Sequence, residues 1–521
     1  MDLSGKHPDN LGYYTNAAAT AYPDNIAMVD LSCESPREVR YVELEERLDR
    51  FASLISDLGL KPGDRMAMAV GNRFEFVEIM CGAMRAGVVP VPLNIKLGKD
   101  TLAYIVQDAG CRAAVVEPGC NAFITEVAGE AKLPVRLAFD PAPSGWADYE
   151  NALQGADSAF DPPTIPDDHP SFLPYTSGST GRPKGVVLTH SGQLWWIRCL
   201  QHYWPSASEH SYLTAVPLYH KNAMAGAIKP FLYVGGCVVI LPNFEPRRFL
   251  KTLSEYRCTG SGGVPAVFTL LLQEKNLLDS LDFSALQSLK IGSAPVQAEL
   301  LTTVAKTFGV PVTESYGLTE GGPVMIGPPI DGRKAPPGSC GIIWPEGEVK
   351  LVDPEGNKSE TYGELWVKNP GVTPGYYNLP EVNKERLVDG WLRTGDLFSR
   401  DEEGFFFCRG RTDDMFNSGG ENIYPKEVEN LLLSHADVAE ASVVPAAHDV
   451  KGHVPVAMVV LAKRTATTEE DLKAFAIQNG PPYAHPRRIV FVDEMPLNGP
   501  GKIDRMIVQK RMEEILSGKT V

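Results

Sequence analysis

The chain has 521 residues, of which 43% are hydrophobic and 22% are charged, and its formal net charge at pH 7 is -16. This length exceeds one ordinary hydrophobic core, so at least two domains are expected, and the acidic balance argues against a surface that binds nucleic acid. The sequence has no apolar run of about 18 residues that could span a bilayer, and its first residues lack the pattern of a secretion signal, which favours the cytoplasm.

The first part of the chain alternates helical and strand-like patterns. Residues 41–58 place apolar side chains on one helical face, and Gly59 is positioned to end that helix. Residues 73–87 are helix-like and follow a short apolar run that suits a buried strand. This alternation predicts an α/β fold with a largely parallel sheet, which binds ligands beyond the carboxyl ends of its strands. The runs interpreted as strands are 66–70, 113–116, 237–241 and 289–291.

The second part of the chain has a different texture. From about residue 320, short strands rich in glycine and proline predict a small β-rich subdomain. From residue 413 an α+β unit is predicted, with one helix at 425–435 and another near 467–480. In the latter, Thr467 is the expected N-cap and Glu470 its capping-box partner. We therefore predict an N-terminal domain at 1–412 and a C-terminal domain at 413–521.

Residues 176–185 combine hydroxyl side chains, three glycines, an arginine and a lysine between two strand-like runs. Glycines let backbone N–H groups approach an anion, hydroxyls donate to phosphate oxygens, and a lysine supplies charge. The spacing differs from that of the Walker loop, and Pro183 disfavours a helix before Lys184. The segment is predicted to be a phosphate-binding loop, with a solvated linker as the alternative.

Six segments, in this order, resemble the adenylate-forming superfamily, whose members include acyl-CoA and aryl-CoA synthetases, carrier-protein adenylation domains and beetle luciferases. The resemblance is strongest to an acyl- or aryl-CoA ligase of the 4-coumarate-CoA ligase type. It implies a large N-terminal domain of two α/β subdomains plus a β-rich subdomain, hinged to a small α+β C-terminal domain. The segments are YTSGSTGRPKGV at 175–186, ESYGLTE at 314–320, TGDL at 394–397, GRTDDM at 410–415, SGGENIYPKEVE at 418–429 and PLNGPGKIDR at 496–505.

The resemblance also implies a reaction in two steps. A carboxylate attacks the α-phosphate of ATP to give an acyl-adenylate and pyrophosphate, and the thiol of coenzyme A then displaces AMP to form a thioester. Lys502 is the implied adenylation lysine, with an exposed surface lysine as its alternative reading. Glu320 is the implied Mg²⁺ ligand, assisted by Thr319 or Thr176. The implied pyrophosphate loop consists of Thr176, Ser177, Gly178, Ser179, Thr180, Gly181 and Lys184.

The nucleoside is assigned by the same resemblance. Asp396 is implied to accept both ribose hydroxyls, with Arg411 near the same sugar, although an aspartate after glycine is more often a turn residue. Tyr316 is implied to stack on adenine, and the competing reading is a core tyrosine. The remaining implied ATP-binding residues are Ser293, Ala294, Pro295, Glu314, Ser315, Gly317 and Thr319.

The thiol step is implied to need a moving C-terminal domain. Asp413 matches the hinge position, where a rotation would withdraw Lys502 and present residues 418–421. Gly420, with Gly419 before it, would leave room for the pantetheine arm of coenzyme A, whereas the plain alternative is a turn. His220 matches a residue of the carboxylate pocket and is expected to gate or orient, unless it is a structural histidine.

The acyl pocket mixes polar and small residues. A buried amide would discriminate acids by hydrogen bonding, so this mixture favours an aromatic acid of the hydroxycinnamate or benzoate type over a medium- or long-chain fatty acid. An enzyme that loads a carrier protein, a luciferase-type oxidase and a non-catalytic adenylate-binding regulator are kept as alternatives. The oligomeric state is open, with a homodimer among the options. The expected pocket residues are Lys221, Asn222, Met224, Gly292, Gly321 and Pro323.

Overall fold

A computed structural model describes most of the chain, and it forms two compact units. The first unit contains Met1–Ala335, Gly341–Val349 and Val367–Arg393, and the second contains Pro336–Cys340, Lys350–Trp366 and Thr394–Val521. The boundary predicted at residue 412 falls within the second unit and stays a prediction. The described residues are 7–176, 182–292, 296, 298–336, 338–344, 347–462, 465–497 and 503–517, with only the backbone described at 323, 324 and 422.

Two largely parallel sheets dominate the first unit, which confirms the predicted α/β class. All pairs of the smaller sheet are parallel, and the larger sheet is parallel except for its last pair. The strand order of the smaller sheet is Val89–Pro92, Arg65–Ala69, Cys111–Val116, Val135–Ala138, Ala147–Asp148. The order of the larger sheet is Val312–Thr313, Ser288–Ile291, Gly260–Gly263, Ser211–Thr214, Cys237–Ile240, Ile26–Asp30, Arg37–Arg40.

Helices cover these sheets through their apolar faces. The helix Tyr41–Asp57 buries its leucine, isoleucine and phenylalanine side chains as predicted, and Gly59, with a φ of +87°, follows its end. The other helices of the first unit are Leu11–Tyr13 (3₁₀), Asn16–Ala21, Phe74–Arg85, Lys99–Asp108, Ile124–Glu130, Tyr149–Gln154, His190–Tyr203, Lys221–Ala223, Met224–Ile228 (π), Lys229–Tyr233, Pro246–Glu255, Pro265–Gln273, Lys275–Leu278, Ala298–Phe308 and Pro380–Arg386.

Short strands after residue 312 confirm the predicted β-rich texture. Smaller pairs also occur earlier in the first unit, at Pro170–Phe172 with Leu188–Thr189 and at Tyr175–Thr176 with Lys184–Gly185. The later strands are Tyr316–Leu318, Gly322–Gly327, Ile342–Ile343, Glu348–Val352, Lys358–Ser359, Tyr362–Lys368, Leu387–Val388, Trp391–Arg400 and Phe406–Arg411. No helix among the described residues is both long and apolar enough to cross a membrane.

The C-terminal part of the second unit is built on a long antiparallel pair, Val438–His448 with Gly452–Leu461. Its buried side chains form a cluster with those of the helix Pro425–Leu433, including Val428, Leu432, Val443 and Val459. This α+β arrangement follows the sequence prediction. The remaining elements are the strands Phe416–Ser418, Glu421–Ile423 and Arg488–Phe491 and the helices Glu469–Asn479 and Arg505–Leu516.

The cap of the helix Glu469–Asn479 differs from the prediction by one residue. Thr468 is the N-cap: its side chain accepts from the N–H of Asp471, and the Asp471 carboxylate accepts from the N–H of Thr468. Thr467 instead donates its hydroxyl to Asp437 at 2.5 Å. The prediction of Thr467 with Glu470 was wrong because two adjacent threonines each precede an acidic residue by three positions, and tertiary contacts select between them.

Replacing Asp471 by alanine should therefore weaken this helix, because the N–H of Thr468 loses its acceptor. The positive end of the helix dipole also loses a nearby negative charge. The free energy of opening should fall by about 0.5–2 kcal/mol, measured by native-state hydrogen exchange at the helix amides. Glu470→Ala is the matched control, since its exposed pair with Lys473 contributes little. Equal losses in the two variants would contradict the assignment.

Lys229 is a charged residue inside the apolar core of the first unit, with only 1% of its surface exposed. Its ammonium donates to the Gln193 side-chain oxygen at 2.7 Å and lies 5.2 Å from the centre of the Phe172 ring. Burial lowers the pKa of Lys229 to about 7, with a small opposing contribution from Cys81. Since its pKa in the unfolded chain is about 10.4, folding disfavours the proton on this residue.

The substitution Lys229→Met should stabilise the protein in a pH-dependent way. Between about pH 7 and pH 10 the unfolded chain holds a proton on Lys229 that the folded chain has lost, so wild-type stability rises with pH. Below about pH 7 the buried ammonium is charged and reduces the stability of the wild type in full, so the variant should be more stable than the wild type by about 2–4 kcal/mol. This difference in stability should fade towards about pH 10. Melting temperatures at about pH 6 and pH 9.5 test this; exposed Lys96→Met should show no such difference.

Candidate active site

The predicted phosphate loop is closed by a two-residue antiparallel pair. Thr176 lies opposite Lys184, and Gly185 lies opposite Tyr175. A Cβ on Gly185 would stand 3.0 Å from the Tyr175 ring, so glycine permits this close approach. The pair is held further by the N–H of Tyr377, which donates to the Gly185 carbonyl at 2.8 Å. The loop thus connects neighbouring strands within one unit, which argues against the linker alternative.

Glu320 lies in the turn between the strands Tyr316–Leu318 and Gly322–Gly327. The Tyr376 hydroxyl donates to its Oε1 at 3.2 Å, and the N–H of Thr373 donates to its backbone carbonyl at 2.7 Å. The ammonium of Lys184 lies 5.8 Å from the centre of the Tyr376 ring. Lys184 and Glu320, 136 residues apart in sequence, therefore meet on the same tyrosine.

A second lysine approaches the same turn. Lys221 is 8% exposed, and its ammonium donates to the carbonyl oxygen of Leu318 at 3.1 Å. Burial lowers its pKa to about 7, and Lys229 adds to this effect, whereas Glu320 opposes it. The charges of Lys221 and Glu320 therefore attract each other. From the sequence, Lys221 was predicted only as a residue of the acyl pocket.

The residues after His220 form an irregular helix. Lys221–Ala223 is α-helical, Met224–Ile228 is π-helical and Lys229–Tyr233 is α-helical again. The π segment accommodates one extra residue in a turn, a feature often found at functional sites. His220 immediately precedes this helix, and its ring centre lies 4.6 Å from that of Tyr219.

The acyl-pocket residues of this helix differ from the expectation in one respect. Met224 is 1% exposed within the apolar core, but Asn222 is exposed. The premise of a buried amide is therefore wrong for Asn222, because the helix turns the residue beside buried Lys221 outwards.

Gly321, also predicted for the acyl pocket, is buried, and a Cβ there would stand 2.9 Å from the Leu318 side chain. Gly322, next to it, has a φ of +91°.

The predicted adenine region lies beside this turn. Tyr316 begins the strand Tyr316–Leu318 and pairs with Ile326, and its side chain is half-buried. Glu314 and Ser315 precede it and are half-buried, while Gly317 is exposed. Gly292 directly follows the strand Ser288–Ile291, and a Cβ there would lie 3.9 Å from the Ser315 carbonyl oxygen. The structure thus brings the turn at Gly292 to the segment at 314–316.

In the second unit, Asp396 and Arg411 face each other across paired strands. Arg411 donates to the Asp396 carboxylate at 3.0 Å and to the Asp413 carboxylate at 3.3 Å. Burial lowers the pKa of Arg411, but the two carboxylates outweigh burial and raise it above the ordinary arginine value. The N–H of Gly395, which has a φ of +73°, donates to Glu364 at 3.0 Å. These contacts fix Asp396 at its position on the strand.

The two glycines predicted to form the thiol tunnel occupy a tight turn. They join the strands Phe416–Ser418 and Glu421–Ile423, with φ values of +61° at Gly419 and +96° at Gly420. Positive φ at both positions is what a two-residue hairpin turn requires, and glycine adopts it without strain. No described atom lies within 4 Å of a Cβ built on Gly420. The turn alone accounts for both glycines, and the tunnel stays a prediction.

Several predicted residues lie outside the described part of the chain, and their assignments stay predictions. They include the adenylation lysine and most of the phosphate loop. Only the backbone of Pro323 is described. The residues outside the description are Ser177, Gly178, Ser179, Thr180, Gly181, Ser293, Ala294, Pro295 and Lys502.

Sequence reasoning missed Tyr376 as a contact of Glu320, and it did not single out Lys290 as a partly buried lysine. Tyr376 follows a glycine in a stretch interpreted only as β-rich, and no spacing relates it to Glu320, 56 residues earlier. Lys290 occupies an interior position in a predicted strand, yet its ammonium lies 3.5 Å from the centre of the Trp204 ring. A charged residue between apolar strand residues was the available signal for Lys290.

Comparisons with known proteins show the family of this chain. The family described as AMP-binding enzyme matches residues 15–377, more than half of the chain, and the AMP-binding enzyme C-terminal domain matches 427–502. Feruloyl-CoA synthase from Amycolatopsis sp is 33% identical over 475 residues, covering 90% of this chain and 93% of the relative. Indoleacetate–CoA ligase from Aromatoleum aromaticum is 32% identical, covering 90% and 92%.

A solved structure extends the likeness to three dimensions. ATP-bound MatB from Rhodopseudomonas palustris superposes with a TM-score of 0.88 at 29% identity, covering 97% of this chain and 99% of that one. The large and small domains of the adenylate-forming fold are both represented, as the two family matches require. The collinear motifs, the parallel sheets and these matches lead to one conclusion: the chain belongs to the AMP-binding enzyme family, the adenylate-forming superfamily in which its relatives are CoA ligases.

Proposed function

We propose that this enzyme is an ATP-dependent acid–thiol ligase that forms a coenzyme A thioester from an aromatic carboxylic acid through an acyl-adenylate. The observation that carries the proposal is the convergence of Lys184, Lys221, Glu320 and Tyr376 in the first unit. These residues come from four separate parts of the chain. Such convergence suits a reaction in which several anionic groups must be held together.

Adenylation brings a carboxylate up to a triphosphate, so cations must offset the accumulated negative charge. Lys184 borders the hydroxyl-rich loop and is assigned to the phosphates. Lys221, with a pKa near 7, is assigned to the same anionic region, because a bound anion favours its charged form. Lys502 is assigned to the attack itself, where its ammonium neutralises charge between the acid and the α-phosphate. Each such donor contributes about 3–4 kcal/mol in comparable sites.

The donors at Glu320 fit a hard divalent cation. Among the residues that the structure covers, no side-chain cation pairs with the Glu320 carboxylate, and Tyr376 donates to only one of its oxygens. Mg²⁺ is commonly held by one or two carboxylates together with substrate phosphates. Glu320, assisted by Thr319 or Thr176, would hold the ion, which supplies positive charge to the phosphates when bound. Tyr376 orients the carboxylate by its hydrogen bond.

The remaining roles concern the sugar and the thiol. Asp396 is assigned to the ribose hydroxyls, since a carboxylate accepts two O–H donors, and Arg411 fixes its orientation from the same unit. Asp413 is assigned to the hinge and Gly420 to the passage of the pantetheine arm. His220 is assigned to orienting the acid beside Tyr219. The thiol loses its proton to solvent and its sulfur attacks the acyl carbon. The C–S bond forms as the bond between that carbon and the phosphate oxygen breaks, and AMP leaves with the negative charge.

An aromatic acid is the preferred substrate class for two reasons. The two sequence relatives compared above are named for ferulic and indoleacetic acids, and each is about one-third identical to this chain. Two aromatic rings, those of Tyr219 and His220, also lie tilted against each other directly before the helix Lys221–Ala223. A medium- or long-chain fatty acid is the alternative substrate, and a carrier protein is the alternative thiol. A luciferase-type oxidase would form the same adenylate and react it with oxygen, whereas a non-catalytic regulator would bind an adenylate without converting it.

A panel assay tests the proposed function. Benzoates, hydroxycinnamates and fatty acids are each supplied with ATP, and AMP release is measured with and without free coenzyme A. Release that requires both an aromatic acid and coenzyme A is the expected result. Best turnover with fatty acids would reject the substrate class, and release that is indifferent to coenzyme A would reject the thioester product.

The division of labour between the two steps predicts a selective defect in Lys502→Ala. Acid-dependent exchange between pyrophosphate and ATP should fall by at least about 100-fold, because one charged donor is removed from the adenylation step. Thioester formation from supplied acyl-adenylate should stay within about threefold of wild type, since that step does not use Lys502.

Lys510→Ala is the matched control, because Lys510 is an exposed lysine on the helix Arg505–Leu516. It should leave both steps unchanged. Equal loss of both half-reactions in Lys502→Ala would contradict the assignment of this residue to adenylation alone.

A further inference from the structure

Asn72 is a buried residue that links the two parallel sheets of the first unit, and the proposed reaction does not use it. It lies in the connection between the strand Arg65–Ala69 of the smaller sheet and the helix Phe74–Arg85, and only 7% of its surface is exposed. A buried amide whose donors and acceptor stayed unpaired would be costly. The partners of Asn72 therefore show what the residue holds together.

Each described partner of the Asn72 side chain lies just beyond a strand of the larger sheet. The side-chain nitrogen donates to the carbonyl oxygens of Val216 at 3.0 Å and Leu241 at 3.1 Å, and the side-chain oxygen accepts from the N–H of Leu218 at 2.8 Å. Val216 and Leu218 follow the strand Ser211–Thr214, and Leu241 follows its parallel neighbour. One amide thus ties the carboxyl ends of two strands in the larger sheet to that of a strand in the smaller sheet.

The segment that Asn72 holds leads directly to His220. The N–H of His220 donates to the carbonyl oxygen of Pro217 at 3.0 Å, which closes a four-residue turn. Asn72 binds the peptide groups on both sides of Pro217, through the Val216 carbonyl before it and the Leu218 N–H after it. The amide therefore fixes the start of the turn, and the hydrogen bond across the turn fixes the backbone of His220 relative to that start.

The chain that enters the predicted phosphate loop is attached to the smaller sheet. The N–H of Leu173 donates to the carbonyl oxygen of Pro90 in that sheet at 2.9 Å, and Leu173 belongs to its apolar cluster. The Tyr175 hydroxyl donates at 2.6 Å to Asp108, at the end of a helix that packs in the same cluster. A misplacement of about 1 Å between reacting groups can cost about 100-fold in rate. The link between the sheets at Asn72 therefore bears on how the acid meets the triphosphate.

We propose that Asn72 is a positioning residue that sets His220, and with it the acid, relative to the triphosphate. This inference rests on the proposed function, in which His220 orients the acid. Asn72 acts through the backbone of the turn and takes no part in bond making. In Asn72→Ala the turn loses this support, but the connection that carries residue 72 stays attached to the larger sheet, because the Asp30 carboxylate accepts from the N–H of Phe74 at 2.8 Å.

Adenylation kinetics of Asn72→Ala test the proposal, with pyrophosphate release measured while 4-hydroxycinnamate and ATP are varied in turn. The kcat/KM for the acid should fall by about 10–100-fold, with a higher KM for the acid. The KM for ATP should stay within about twofold of wild type, because the residues assigned to the phosphates keep their places. In a His220→Ala background the same substitution should cost less than about threefold, since the ring that Asn72 positions is gone.

A merely structural role for Asn72 would give a different pattern. A smaller folded fraction would lower kcat, leave both KM values unchanged and add its full loss to that of His220→Ala. Melting temperatures of the variants show whether each is folded at the assay temperature.

Asn121→Ala is the matched control. This amide also makes three hydrogen bonds to the backbone, donating to the carbonyl oxygens of Ile95 at 2.8 Å and Leu97 at 3.0 Å and accepting from the N–H of Phe123 at 2.8 Å. Its partners follow strands of the smaller sheet only. The control should keep the adenylation kinetics of the wild type, and an equal loss in the two variants would contradict the special role of Asn72.

The outcomes separate this inference from the proposed function. Failure of the wild type to activate 4-hydroxycinnamate would count against the aromatic-acid proposal, and hydrogen exchange then decides on Asn72. The amides of residues 218–221 should exchange faster by about tenfold or more in Asn72→Ala and at the wild-type rate in Asn121→Ala. Unchanged exchange there, unchanged kcat/KM for the acid, or full additivity with His220→Ala would overturn the proposal and leave the ligase activity intact.

Discussion

The candidate site depends on the hydrogen bonds that hold the turn at Glu320, from the Lys221 ammonium to the Leu318 carbonyl and from the Tyr376 hydroxyl to the Glu320 carboxylate. Lys221 is almost fully buried, and without an opposite charge it would lose its proton more readily than it does. Glu320 in turn is oriented by Tyr376 and by the N–H of Thr373, which binds its backbone carbonyl. Two lysines and a carboxylate are therefore arranged around one turn before any substrate binds.

Three buried or half-buried lysines in the first unit differ in the partners of their ammonium groups. Lys229 has an amide oxygen and aromatic rings, and its partners are all internal, so it acts as a structural residue that reduces stability at neutral pH. Lys221 has a carbonyl oxygen and an opposite charge at the candidate active site. Lys290 has only aromatic rings. From Lys229 to Lys290 the number of polar contacts that the described protein offers the ammonium decreases, and Lys290 is also the least buried of the three.

Much of the fold could be predicted from the sequence, because it is encoded locally. The apolar face predicted for residues 41–58 and the strand predicted at 113–116 correspond to the helix Tyr41–Asp57 and the strand Cys111–Val116. The exact N-cap at Thr468 could not be predicted, since adjacent threonines are locally equivalent and only the contact of Thr467 with Asp437 separates them. Local patterns therefore determine an element more reliably than its ends.

Residues of the candidate site could be predicted only where they lie within a recognisable sequence motif. Glu320 and Lys184 lie in recognisable segments, and the structure brings both to one tyrosine. Tyr376 itself could not be found, because its contact with Glu320 depends on how a distant loop folds back. The exposure of Asn222 was also missed, since the sequence does not reveal which way each residue of an irregular helix faces.

That irregularity has a consequence for how this helix evolves. The π segment Met224–Ile228 holds one residue more than an α-helical turn would need. An α-helix advances by about 100° per residue, so deletion of a single residue there would rotate the preceding turn by that angle relative to the rest. The buried ammonium at 221 and the outward amide at 222 are themselves one residue apart. A one-residue deletion, without any substitution, would therefore exchange the chemical groups presented to the turn at Glu320.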